Sequence, residues 1–253
     1  MNVILHKTKK KLRSYYRRAY YLAHGLYFDY VLKTYQTDGF SFVIPKAYTS
    51  RITRGYFAEG NVEPDERHLV KKHLDPAAIV LELGANIGVV SGTINRRLTN
   101  PEKQVVVEAN PTLIPYLEEN RQNNRCAFRI ENRVVSEEKE IPFFFGHSIS
   151  SGGIVEKNAH NNQAPVMVQG ITLPDLQDKY QLTFDTLIMD IEGAEYQLLQ
   201  DIKISLSQFK LILFEQHPAI LTEDQQQKIN SLLTQGGLTL VDQSGDTVAW
   251  KRT

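Results

Sequence analysis

The chain has one cysteine, Cys126, and one tryptophan among its 253 residues. A lone cysteine excludes an intrachain disulfide and fits a reducing compartment. No apolar stretch approaches the roughly 20 residues of a membrane span. A secretory leader is not expected either. The apolar segment after the basic start is broken by His24 and Asp29, and no convincing small-residue cleavage site follows. A cytoplasmic location is the expectation. Acids are missing from residues 1–28, where seven Lys/Arg lie between Lys7 and Arg18. Formal net charge is zero, so the remainder carries a net of minus seven. A basic arm on a mildly acidic body is the one clear charge asymmetry.

What is present is ordinary for a soluble globular chain: 42% hydrophobic and 23% charged residues. The length suits one large domain, or one domain with an appendage. In residues 9–30, Leu12, Tyr15, Tyr16, Ala19, Leu22, Ala23, Leu26 and Tyr27 recur at helical spacing, with Lys10, Arg13, Arg17 and His24 on another face. Packing against the main domain is the plainer expectation for this amphipathic helix. Peripheral contact with an anionic membrane through residues 7–27 is the sharper one. Nothing else in the chain suggests nucleic-acid binding. We expect an extension over residues 1–50, including a short strand at 40–45, and one domain over 51–253.

The domain reads as alternating strands and helices, hence a mainly parallel, doubly wound α/β sheet. Expected strands are Ile79–Leu83, Gln104–Glu108, Cys126–Ile130, Asp185–Asp190 and Lys210–Glu215. Expected helices cover about Pro64–His73, Ile87–Leu98, Pro111–Asn123, from Ala194 onward, and Thr222–Gln235, the last closed by Gly236-Gly237. Ile141–Phe145 and Val166–Val168 read as strands of an insertion around a polar loop, 148–163. Leu238–Val241 and Thr247–Lys251 read as a closing hairpin.

The richest stretch is Ile79-Val80-Leu81-Glu82-Leu83-Gly84-Ala85-Asn86-Ile87-Gly88. It is an apolar strand ending in an acid and a glycine-bearing turn. A second apolar run ends at Glu108, 26 residues after Glu82. That distance holds one turn, one helix and one parallel strand, the layout of a nucleotide-type cofactor site. Gly84 lets the chain turn sharply, and Asn86 is among the few other residues that tolerate positive φ. Gly88 allows close helix packing, and Glu108 can accept hydrogen bonds from ribose hydroxyls. A dinucleotide site fits less well, because its second and third glycines would be Asn86 and Val89. A nicotinamide oxidoreductase is therefore disfavoured.

With Glu82-Leu-Gly-Ala-Asn-Ile-Gly88, Glu108-Ala-Asn-Pro111, Asp190-Ile-Glu-Gly-Ala-Glu195 and Glu215-Gln-His-Pro218, the sequence resembles the FkbM family of S-adenosylmethionine-dependent methyltransferases. The resemblance covers roughly residues 55–250. It implies a seven-stranded sheet with the last strand antiparallel, S-adenosylmethionine as cofactor, and O-methylation of a sugar or glycoconjugate hydroxyl. Cofactor contacts are expected at Glu82, Gly84, Ala85, Asn86, Gly88, Glu108, Ala109 and Asn110. The family often has lysine two residues before its central acid, where this chain has Ile188. That departure keeps open a degenerate module that binds cofactor or glycan without catalysis.

A sugar hydroxyl is a poor acid, so methyl transfer to it needs a neighbouring base. Asp190 is expected as base or acceptor-positioning group, supported by Glu192 or Glu195. His217 is a second candidate base, oriented by Glu215. No obligate metal is expected. Tyr56 and Glu63 are candidates to close over the cofactor, and Ser150-Ser151-Gly152-Gly153 is a candidate acceptor lid.

Overall fold

The computed structural model describes residues 2–60, 62–146, 152–154 and 164–252, without the side chains of residues 2–12, 14, 203 and 204. Much of the 148–163 loop, including Ser150 and Ser151, lies outside the described residues. The chain forms two compact units, Met1–Val62 and Glu63–Thr253.

In the first unit, α1 (Asn2–Tyr27) runs into one π-helical turn, Phe28–Leu32. The helix begins earlier than periodicity suggested. A hairpin follows, β1 (Tyr35–Thr37) with β2 (Phe40–Phe42), turned by Asp38 and Gly39 at positive φ. The 40–45 segment is thus only half strand, and the Asp-Gly turn before it is the signal that the periodicity reading passed over. Helix α2 (Arg51–Ala58) is capped by Ser50, whose hydroxyl accepts from the Thr53 N–H at 3.0 Å. Arg54 grips Asp29 in a two-pronged pair at 2.6 and 3.0 Å. Asp29, Arg54 and the Phe28–Tyr35–Phe42–Phe57 core make α2 part of this unit, so the division falls after Val62 rather than after residue 50.

The second unit is the expected sheet. Its strands are β3 (Val80–Leu83), β4 (Gln104–Val107), β5 (Arg129–Glu131), β9 (Thr186–Met189), β10 (Leu211–Glu215), β11 (Thr239–Ser244) and β12 (Thr247–Lys251). They lie in the order β11-β12-β10-β9-β3-β4-β5. Strands β5, β4, β3, β9 and β10 run parallel, and β12 is antiparallel to both neighbours. Three further strands, β6 (Val134–Val135), β7 (Glu140–Phe143) and β8 (Val166–Ile171), form a small separate sheet. The third core strand starts at Arg129 rather than Cys126.

Alternation on the strands builds two apolar layers. Leu81, Val105, Leu187 and Ile212 belong to one cluster with Leu198 and Leu233. These last two come from α7 (Glu195–Asp201) and α8 (Glu223–Gln235). Val80, Ile188, Leu211 and Leu213 pack with residues of α3 (Pro64–His73) and α4 (Val89–Arg97). Two short helices complete the unit. The first, α5 (Ile114–Asn123), starts later than Pro111, because Asn110 first makes a turn by accepting from the Thr112 N–H at 3.0 Å. The second, α6 (Leu173–Tyr180), capped by Thr172, was not anticipated. Helix α8 carries a full capping box from Thr222 and Gln225. Its stop uses positive φ at Gly237 alone.

Chain order reverses between β3 and β9: β3 leads outward to β4 and β5, and β9 returns on its other side. That reversal opens a crevice at the carboxyl ends of the strands, where ligands bind in such sheets.

Candidate active site

A cavity of about 870 Å³, its open mouth included, lies at this crevice. Gly84 and Asn86 reach it from the β3 loop, Glu108, Ala109 and Asn110 from the end of β4, and Asp190 and Glu192 from the end of β9. Arg133 and Phe143 come from the small sheet's segment, and Gly152 and Gly153 also line the wall. Seven of the expected site residues therefore converge on one space, although they come from three separate strand ends.

The β3 loop has positive φ at Gly84, Asn86 and Gly88. Glu108 braces it: one carboxylate oxygen accepts from the Asn86 N–H at 2.7 Å and the other from the Asn110 N–H at 2.7 Å. Each oxygen keeps a second lone pair for a ligand hydroxyl. Burial pushes the Glu108 carboxyl up to about 7 against the pull of those two amides. The side-chain oxygen of Asn86 is buried without a hydrogen-bond partner, an acceptor held in reserve.

Three expected contacts do not line this cavity. Ala85 is buried beside Val106 and Phe128. Gly88 caps α4, and a Cβ there would come within 2.8 Å of Leu117. Glu82 points to the α3–α4 side of the sheet, where Ser91 Oγ and Gln104 Nε2 each donate to it at 2.8 Å. These bonds tie α4 to β3 and β4.

Glu82 also lines a smaller pocket with Glu63, Glu66, Ile188 and Asp190. Ile188 lies directly opposite Glu82 in the parallel register of β3 and β9. A lysine at 188 would enter this acidic pocket. Burial first, then neighbouring acids, push Glu63 up to about 8 and Glu66 well above its ordinary value, with Arg67 working against the rise at Glu63. Burial also raises Glu82 to about 7. These folded-state values exceed the unfolded one near 4.5, so the acids' contribution to stability is full below that pH. It is lost as pH rises through about 7 to 8. The melting temperature of the ligand-free protein is expected to fall between acidic and mildly alkaline pH. Ile188→Lys should flatten that slope by pairing the carboxylates. Calorimetric melts of both proteins across the range check this, and an unchanged slope in the variant would sink it. Tyr56 belongs to the other unit, where its ring stacks on Tyr21 at 3.9 Å.

His217 does not line the main cavity but stands among the carboxylates that do. Its Nε2 is 3.3 Å from Asp190 Oδ1 and 3.7 Å from Glu192 Oε2, while Nδ1 is 2.9 Å from Glu195 Oε1. Its close partner is Glu195, not Glu215 as the sequence suggested. Burial opposes the imidazolium, but Asp190 and Glu195 outweigh it and hold the ring at about 11. That direction favours the protonated ring, which has no lone pair to accept a proton. These distances place the ring between Asp190, Glu192 and the fully buried Glu195. Glu195 was the member least evident from sequence, because an acid at a helix start is favourable without any partner.

Burial, then the Asp190 charge, raises Glu192 to about 7, with His217 limiting the rise. It lines the cavity and has positive φ, a conformation that non-glycine residues seldom adopt and that the surroundings must enforce. Asp190, Glu192 and His217 place three potential ligand atoms within 4.8 Å of one another, a spacing that suits a cation only when the imidazole is neutral.

Residues 82–240 match the family model described as the Methyltransferase FkbM domain. No curated protein matches the chain. Solved structures with a similar fold include a methyltransferase from Pyrococcus furiosus, 12% identical over 91% of this chain and 96% of that one, with a TM-score of 0.48. An O-methyltransferase from Bacillus cereus in complex with SAH is 12% identical over 74% and 78% of the two chains, with a TM-score of 0.42. Aeropyrum pernix fibrillarin, with natively bound S-adenosyl-L-methionine, is 13% identical over 73% and 72%, with a TM-score of 0.40.

Proposed function

This chain belongs to the FkbM family of methyltransferases, and from that premise we propose that it methylates a hydroxyl of a sugar or glycoconjugate. The cofactor of this S-adenosylmethionine-dependent methyltransferase fold is S-adenosylmethionine. The donor set suits it. Glu108 and the unpartnered Asn86 oxygen are acceptors for hydroxyl and amino groups. Glu108, Asp190 and Glu192 make the wall acidic, which suits a cationic ligand and disfavours the pyrophosphate of a dinucleotide. When bound, the cofactor supplies an electrophilic methyl group.

The protein's own task is to hold the acceptor oxygen and take its proton. The observation that carries the reading is Glu192: a carboxylate in the cavity wall whose pKa lies near neutral pH. At that value it is ionised in a large fraction of molecules, yet still basic enough to receive a proton. Asp190, beside it, serves as acceptor for a second hydroxyl. The His217 imidazolium, held from behind by Glu195, keeps the two carboxylates oriented. The choice of a sugar hydroxyl rests on the family resemblance, supported by a wall rich in hydrogen-bond acceptors.

The direct test incubates the protein with S-adenosylmethionine and a panel of nucleotide sugars, lipid-linked glycans and polysaccharides. Formation of S-adenosylhomocysteine with a one-methyl mass gain on a sugar oxygen supports the proposal. Turnover confined to amine-bearing or non-carbohydrate acceptors overturns it. Cofactor binding has its own check. Glu108→Ala is expected to weaken binding of S-adenosylmethionine by about 2 kcal/mol, roughly thirtyfold, in a calorimetric titration. An unchanged affinity would remove Glu108 from the site.

A further inference from the structure

Among the described residues, eleven of the fifteen exposed large hydrophobic side chains lie in the first unit. Most are on α1 and the turn that follows it. The inner side of α1 is committed: Tyr21 stacks on Tyr56, and a Cβ at Gly25 would meet the Arg51 carbonyl at 2.0 Å. The opposite side is open. Tyr15, Ala19, Leu22 and Leu26 recur along one strip by steps of three and four, and Tyr16, Tyr20, Ala23 and Tyr27 form the strip beside it. Tyr15 is 60% exposed and Tyr16 69%. Arg13 and Arg17 border the double strip on one edge and Arg18 on the other, all exposed. The whole unit carries eleven Lys/Arg against three Asp/Glu, whereas residues 63–253 carry eighteen against twenty-six.

We propose that this unit docks on the surface of an anionic lipid bilayer, with α1 lying in the interfacial plane. An apolar surface this continuous is uncommon on a free monomer. Its shape is a convex helix face, not a groove. Tyrosine is the residue that suits a boundary with hydrocarbon on one side and water on the other. Arginines along both edges can lay their stems over the acyl boundary while their guanidinium groups meet lipid phosphates. No described helix is long and apolar enough to cross a membrane, so the contact is with one leaflet. The inference is independent of the methyl-transfer chemistry. It would bring the enzyme to acceptors carried on lipid.

The test is co-flotation of the full chain with vesicles of phosphatidylcholine alone and of phosphatidylcholine mixed with phosphatidylglycerol. Binding is expected only to the anionic vesicles, and it should weaken in high salt. The double variant Leu22→Glu/Leu26→Glu should lose at least about tenfold in partitioning. Arg17→Glu and Arg18→Glu should each lose about fivefold or more. Circular dichroism and cofactor titration confirm that each variant is folded. Three results would overturn the proposal: no vesicle binding by folded protein, full binding by the leucine variant, or a self-association abolished by the same substitutions while vesicles are ignored.

Discussion

Glu192→Gln is expected to lower methyl transfer by about 100- to 10,000-fold, the range that a positioned general base supplies. Glutamine keeps the shape of the side chain but cannot take a proton. Affinity for S-adenosylmethionine should fall far less than turnover, because Glu108, Asp190 and the β3 loop remain intact although one wall carboxylate is lost. The pH dependence gives an independent readout. Burial lifts Glu192 to about 7, so wild-type turnover should climb as pH rises through that value and the carboxylate forms. The variant should lack this limb. His217 is not expected to produce the same limb, because Asp190 and Glu195 raise it to about 11. Near-wild-type turnover in Glu192→Gln would move the proton to Asp190. Single-turnover measurement of S-adenosylhomocysteine across pH separates the two.

Gly84→Ala should strongly destabilise the fold. Gly84 sits at φ +83, and a Cβ built there would be 1.7 Å from the carbonyl oxygen of Asp190. The collision is with backbone, so no side chain can swing away. The ends of β3 and β9 would have to part, although they are joined there by the Asp190 N–H bond to the Leu83 carbonyl at 3.0 Å. Positive φ alone costs roughly 1 kcal/mol for alanine, and separating the strands should bring the total to roughly 3 kcal/mol or more. That is a large share of the roughly 5–15 kcal/mol that holds a domain together. Gly60 isolates the first cost, because its φ is +78 but nothing lies within 4 Å of a Cβ. Gly60→Ala should therefore cost only the backbone strain. Denaturant melts of both variants measure the difference, and equal midpoints would show that the strand ends yield more easily than this geometry suggests.

The Gly84 geometry separates two reasons for one glycine. The sequence pointed to a sharp turn near a ligand. In the structure the closest neighbour is the next strand, because chain order reverses between β3 and β9. Glu82 makes the same point. As a strand-end acid it reads as a ligand contact, but alternation turns it toward α4, where Ser91 and Gln104 occupy it. Its neighbour Ile188 is far away in the chain, and only strand order makes them adjacent.

The sequence by itself determined the core strands, most of the crossover helices, the glycine-bearing loop, and the placing of Glu108, Asp190 and Glu192 at strand ends. All of these follow from periodicity, breakers and spacing, which are local properties of a chain. It also placed the basic, aromatic helix at the start. Tertiary structure decided which carboxylates stand beside His217 and raise its pKa. It decided which face of β3 Glu82 occupies, and that α2 belongs with the first unit. It also decided that the apolar side of α1 stays uncovered. Each of these depends on which segments become neighbours. Burial and nearby charge set ionisation and exposure, and both arise only from packing between elements distant in the chain.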